Sequence, residues 1–143
     1  MIAIASDHGG FELKQEIMAF LDQSGFAYQD YGCESKASVD YPVYAKLACS
    51  AILEGVCDKG ILICGTGIGI SIAANKIKGI RAALCSDSYT AGVTRLHNDT
   101  NVLCLGGRVI GPEVAKNIVQ IFLTTQFSNE ERHIQRIRQL EEC

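Results

Sequence analysis

The chain of 143 residues has no tryptophan and only two prolines, and none of its seven cysteines pairs into a CxxC motif. So few prolines exclude Pro-rich linkers, and no repeat, charge block or low-complexity tract interrupts the sequence. A length of this order fits one domain, 1–143, with one sizeable core. The odd cysteine count and the missing CxxC argue against a disulfide framework and against a zinc motif. Most of the cysteines lie inside apolar runs such as "AALC" and "VLCLGG", where cysteine behaves as a small hydrophobe. No apolar run approaches the length that spans a bilayer. The opening "MIAIASDHGG" lacks the positive and apolar regions of a signal peptide, so a cytoplasmic protein is expected. Basic excess is absent as well: 13 Lys and Arg stand against 16 Asp and Glu. That balance gives no nucleic-acid footprint and no polybasic membrane patch, and an anionic ligand would need a local cluster of basic groups.

What is present is a regular alternation of strand and helix signals. "MIAIAS" is a short β-type run. "GGFELKQEIMAFLDQSG" follows it, with Leu13, Ile17, Phe20 and Leu21 at helical spacing and Gly25 as a stop. "FAYQDYG" alternates like a strand, "ASVDYP" is a loop, and a helical stripe runs from Val43 to about Val56. "GILIC" is apolar throughout, as in a strand covered on both faces. "GISIAANK" reads as helix, "GIRAALC" as strand, "SDSYTAGVTRLHND" as helix and "NVLCLGG" as a further buried strand. "GPEVAKNIVQIFLTTQF" is a helix with Pro112 in its first turn, where a missing N–H costs little. "NEERHIQRIRQLEE" is a final polar helix, about 130–142. The pattern predicts an α/β fold: a doubly wound, mostly parallel five-stranded sheet with helices on both faces. Ligands in such folds sit beyond the carboxyl ends of the strands, which draws "SDHGG", "CGTGIG", "CSD" and "GGRV" to one rim.

The stretch "ICGTGIGISIAANK" at 63–76 resembles a nucleotide loop and is not one. The dinucleotide fingerprint GxGxxG that begins at Gly65 needs glycine where Ile70 stands, and the frame that begins at Gly67 needs it at Ile72. No Gly-Lys-Ser/Thr triplet follows for a Walker loop. The loop does lead into a helix N-terminus, where N–H groups lack helical partners and negative charge is favoured. Gly65, Thr66, Gly67, Ile68 and Gly69 are therefore candidates to line an oxyanion hole; the plain alternative is a tight turn. Cys64 closes the strand in front of a helix N-terminus, a place where a thiolate is favoured; the plain alternative is a core cysteine like the other six.

Asp7 and His8 end the first strand on the expected ligand rim, and His97-Asn98 end a helix just before the last strand. Such groups suit general acid–base work on a sugar ring oxygen; the plain and commoner alternative for any one histidine is a satisfied surface or core residue. Arg132 and Arg136 lie four apart on one helix face and would suit a phosphate grip, or simply a solvated face among Glu130, Glu131 and Arg138. Arg108, directly after the last strand, is the better single candidate for an anion.

Taken together, "SDHGG", "DYP", "ICGTGIGISIAANK", "GIRAA", "HNDTN", "GGRVIG" and "RH…R" closely resemble the type B ribose-5-phosphate isomerases, which stand with the galactose-6-phosphate isomerase subunits in one sugar-phosphate isomerase superfamily. The resemblance runs from Ala3 to about Arg136. It implies a Rossmann-like fold and an aldose–ketose isomerase that uses no metal and no cofactor. It also implies a homodimer or a dimer of dimers with active sites shared across the subunit interface, where the final helix packs. Carried over by motif, Cys64 is the general base acting between C1 and C2 of the open-chain sugar, and Thr66 assists proton transfer to the oxygens. The N–H groups from Gly65 to Gly69, with Asn98, steady the enediolate. Asp7 and His97 serve ring opening, and Tyr41 lines the sugar site. His8, Arg108, Arg132 and Arg136 hold the phosphate. Some relatives place a Glu further along the loop and helix as the base; "GISIAAN" has no carboxylate, which leaves Cys64. "HNDTN" favours the ribose-5-phosphate branch. "NEERH" departs from the glycines many relatives carry there and makes Arg132 less secure than Arg108.

Three other readings compete. A six-carbon phosphate such as allose 6-phosphate or galactose 6-phosphate would use the same catalytic set. A non-catalytic phosphate- or nucleotide-sensing module would bind without turnover, but gives no reason for Cys64, Thr66 and His97 to occur together. A redox sensor would need a resolving partner that the cysteine spacing does not offer.

Overall fold

The computed structural model describes residues 1–143. Five strands form one sheet: β1 Ile2–Ser6, β2 Tyr28–Asp30, β3 Lys59–Cys64, β4 Ala82–Leu84 and β5 Val102–Gly106. Six helices alternate with them or follow: α1 Phe11–Ser24, α2 Tyr41–Leu53, α3 Ile68–Asn75, α4 Ser88–Asn98, α5 Pro112–Thr124 and α6 Glu131–Glu141. The strand order is 2-1-3-5-4, and every neighbouring pair is parallel. "Mostly parallel" is thus sharpened to all-parallel: each strand is followed by a helical crossover, so no hairpin reverses the chain.

Local signals set the element ends. Gly25 closes α1 at φ +78°, a left-handed turn that glycine adopts without strain. Asp87 caps α4 by accepting from Thr90 N–H at 2.7 Å. Pro112 opens α5 as expected. The second helix starts at Tyr41, two residues ahead of the expected Val43, because Pro42 fits its first turn. It also stops early, at Leu53, just before the left-handed Gly55.

The two faces of the sheet are packed differently. Ile2, Ile4, Ile61, Ile63, Leu103 and Leu105 point to one face and meet α1 and α5 through Ile17, Leu21, Ile118 and Phe122. Ala3, Ala5, Leu62, Cys64, Val102 and Cys104 point to the other and meet α2 and α3 through Ala45, Ala48, Cys49, Ile70 and Ala74. The strict alternation follows from the two-residue period of a strand. Small side chains on the second face let α2 and α3 approach the sheet, and cysteine serves there as a small apolar filler. Six of the seven thiols are buried and all seven are free. No helix is long and apolar enough to cross a membrane.

Candidate active site at the carboxyl rim

β1 and β3 are neighbours, yet the chain leaves them in opposite directions. From β1 it crosses by α1, on one face, to β2 at one edge. From β3 it crosses by α3, on the other face, to β4 at the far edge. The divergence opens a crevice at the carboxyl ends of these two strands, the topological switch point where open α/β sheets bind ligands. Asp7 and His8 follow β1 there, and Cys64 and its glycine loop end β3.

Three loops meet backbone against backbone at this rim. A Cβ on Gly10 would lie 2.4 Å from the Ile63 carbonyl oxygen, one on Gly106 2.6 Å from the Thr66 oxygen, and one on Gly107 2.8 Å from the Gly9 oxygen. Gly107 N–H donates to the Cys64 carbonyl at 2.8 Å, and Arg108 N–H to the Gly65 carbonyl at 2.9 Å. Glycine is needed at these positions for close approach, and the contacts fix the three loops relative to one another.

Side chains are then placed on this frame. Asp7 is buried, and its Oδ1 accepts from Gly9 N–H at 2.9 Å and Gly10 N–H at 3.2 Å. One carboxylate oxygen thus holds the His8–Gly10 turn, while Oδ2 accepts nothing within the chain. His8 Nδ1 accepts from Val39 N–H at 3.2 Å, so in the neutral ring the proton sits on Nε2, a donor without a partner in the chain. Arg108 is exposed, crosses Gly65 and has no carboxylate partner. The Tyr41 ring lies on Gly69, where a Cβ would be 2.5 Å from Cζ. Cys64 is 4% exposed, and its Sγ accepts from Gly67 N–H at 3.1 Å. It is the only one of the seven thiols that accepts a backbone N–H. Burial pushes the Cys49 thiol up to about 11. Burial, with the thiols of Cys49, Cys64 and Cys85 beside it, pushes Cys104 far up.

The expected oxyanion hole is smaller than the loop alone implied. Gly67 N–H is taken by Cys64, and Ile68 N–H donates to Thr66 Oγ1 at 3.2 Å. The amides of Gly65, Thr66 and Gly69 have no acceptor within the chain and remain available.

The other four candidates lie elsewhere. α4 runs antiparallel to the strands, so His97 and Asn98 at its end are carried to the amino rim, beside the start of β5. A five-residue strand separates the rims by roughly 15 Å. At the amino rim His97 stacks on His133 of α6, with ring centroids 4.3 Å apart. Arg132 and Arg136 flank His133 on the same helix; Arg132 is tied to Glu130 at 2.9 Å, while Arg136 is exposed and unpaired. One chain therefore brings together Asp7, His8, Tyr41, Cys64, Thr66 and Arg108, and separately His97, Asn98, Arg132 and Arg136.

Two contributors were missed in the sequence. His133 is buried, its Nδ1 bonds Ser128 Oγ at 2.7 Å, and burial, His97 and the nearby guanidiniums hold its pKa below the ordinary imidazole value. Its place beside Arg132 in "RH…R" was the available signal. Lys14 is fully buried, donating to Asp30 Oδ1 at 2.7 Å and the Cys33 carbonyl at 2.8 Å. It anchors the strap that leads on to Val39 and Tyr41. Its spacing from Ile17 and Leu21 already put it on the apolar face of α1.

Comparison with known proteins fits this layout. The family model "Ribose/Galactose Isomerase" matches residues 2–140. Ribose-5-phosphate isomerase B of Escherichia coli is 52% identical over 136 residues, covering 95% of this chain and 91% of that protein. A putative sugar phosphate isomerase of Bacillus subtilis is 53% identical over 137 residues, with the same shares. The crystal structure of a ribose 5-phosphate isomerase from Thermotoga maritima superposes with a TM-score of 0.97 at 51% identity, covering 99% of this chain and 97% of that one.

Proposed function

The chain belongs to the ribose/galactose isomerase family, and from that premise we propose that it interconverts ribose 5-phosphate and ribulose 5-phosphate through an enediolate, with Cys64 as the base. The observation that carries the assignment of Cys64 is its hydrogen bond from a backbone amide at the switch-point crevice. None of the other six thiols has this setting. A six-carbon sugar phosphate is the alternative substrate, distinguished by assaying both sugars.

His8 and Arg108 hold the phosphate at the carboxyl rim, and that remote grip sets the reacting carbons in register with the thiolate. Cys64 takes the proton from C2 of the open-chain aldose and returns it to C1. Negative charge develops on the sugar oxygens as the proton leaves. The unpaired amides of Gly65, Thr66 and Gly69 belong to a loop held in place by its contacts with the loop after β5, so stabilising that charge needs no reorganisation. Thr66 relays a proton between the two oxygens. Tyr41, packed on Gly69, walls the sugar.

His97, Asn98, Arg132 and Arg136 do not reach the carboxyl-rim crevice of their own chain. We assign them to the carboxyl rim of a second copy in a homodimer, where His97 with Asp7 opens the furanose ring and the arginines complete the phosphate grip. A two-fold dimer satisfies both copies at once, because each lends its amino rim to the other. The reading draws on no metal and no cofactor.

Turnover of ribose 5-phosphate with chelator present is the test, run beside the Cys64→Ala variant. The intact enzyme is expected to turn over, and the variant to lose activity by about 10³-fold, within the range of general-base catalysis, with substrate affinity largely kept. Exchange of the C2 proton with solvent persisting in the variant would remove Cys64 as the base.

A further inference from the structure

Among the loop amides, Gly67 stands apart in conformation and in partner. Its φ is +80°, the left-handed region, and it is the residue from which α3 starts. A Cβ there would lie 2.5 Å from Leu84 Cδ1 and 2.9 Å from the Leu105 carbonyl carbon. The second contact is backbone of the central sheet and cannot move aside. The left-handed turn directs Gly67 N–H inward to Cys64 Sγ at 3.1 Å, whereas Gly65, Thr66 and Gly69 keep their amides unpaired at the mouth.

We propose that Gly67 is the positioning residue for the Cys64 base: its amide holds the sulfur as a hydrogen-bond acceptor, so the glycine loop serves the thiolate and the substrate oxyanion with different amides. This rests on the reading of Cys64 as the base. The division has a physical reason. Cys64 belongs to the same small-residue face as Cys49 and Cys104, where burial alone disfavours a charged sulfur. A thiolate on that face needs a donor aimed at it, and hydrogen bonds to a charged group are the strong ones. The titratable groups that face it from the elements around it are Cys104 on β5, Cys49, Tyr41 and Tyr44 on α2, Asp7 and His8 after β1 and Arg108 after β5. None of them makes a hydrogen bond to Cys64 Sγ, which leaves Gly67 as its one donor.

The test needs no substitution at the crowded glycine. Amide proton and nitrogen resonances of the full-length protein are followed from about pH 6 to 10, a window that spans the ordinary cysteine range. Alkylation of Cys64 by iodoacetamide is measured across the same window by mass spectrometry. The Gly67 amide proton is expected to move downfield with the midpoint of Cys64 alkylation, and to stay fixed in Cys64→Ser. In Gly67→Ala, where it folds, alkylation of Cys64 at a fixed pH below the midpoint is expected to slow roughly 10-fold or more, the loss of one hydrogen bond to a charged acceptor. A Gly67 resonance that stays still while Cys64 titrates overturns the proposal, whatever the activity. A Gly67 resonance that tracks Cys64, in a protein whose Cys64→Ala variant still exchanges the C2 proton, supports the hydrogen bond and removes the base assignment instead.

Discussion

The carboxyl rim of the sheet is built from backbone, and the amino rim from side chains on helix ends. At the first, Gly9, Gly10, Gly65, Gly106 and Gly107 let three loops touch directly, and free amides locked by the contacts between β3 and β5 stand beside the side chains offered to a ligand. At the second, His97 and His133 stack, Ser128 holds His133, and Arg136 extends unpaired into solvent. The difference matches the two tasks assigned to the rims. Charge that develops within the reaction is best met by donors that cannot move. A phosphate, remote from C1 and C2, and a ring oxygen, released before the enediolate forms, can be met by longer side chains, including those of another subunit.

Substitutions that add bulk at one rim and remove it at the other should separate the two. The largest effect on folding is expected from Gly10→Ala, whose new methyl meets the Ile63 carbonyl of β3. Overpacking of this kind costs about 1–3 kcal/mol, and Gly111→Ala, which has open space around it, is the neutral control; equal melting midpoints for the two would mean the loops are not nested as described. Arg136→Ala should leave the melting midpoint unchanged, because the side chain has no partner in its own chain. Its KM should rise roughly 10- to 100-fold with the loss of a charged contact to phosphate, and an unchanged KM would remove Arg136 from the site. The smallest effect concerns His133. With its pKa held below the ordinary value, the folded state favours the neutral ring, so this contribution is complete above the unfolded pKa of about 6.5 and is lost as pH falls through and below it. The drop in melting midpoint between pH 7.5 and 5.5 should therefore be smaller in His133→Phe than in the parent protein. An equal drop would mean that the imidazole is not held neutral by its packing.

Much of this was legible in the sequence. Strand and helix alternation gave the elements, since Leu13, Ile17 and Leu21 are spaced for a helix and "GILIC" for a strand buried on both faces. The pairing order 2-1-3-5-4 was not legible, because every crossover in an all-parallel sheet carries a similar helix signal wherever it lands. At the site, Cys64, Asp7 and Arg108 could be placed at one rim from strand ends alone. The commitment of Gly67 and Ile68 amides could not, because it depends on where two short side chains turn. His97 could be located at a helix end. That this end lies across the sheet from Cys64 follows only once α4 is known to run back along the strands. The value of Tyr41 lay in a contact with Gly69 that no spacing rule relates.

The proposed working site joins the carboxyl rim of one copy to the amino rim of another. It is tested most directly by mixing two inactive variants, Cys64→Ala and Arg136→Ala with His97→Ala, after unfolding and refolding them together in equal amounts. If sites are shared across a two-fold interface, half of the dimers are mixed and each holds one intact site, so roughly a quarter of parental activity should return. A mixture no more active than its separate components would contradict the account.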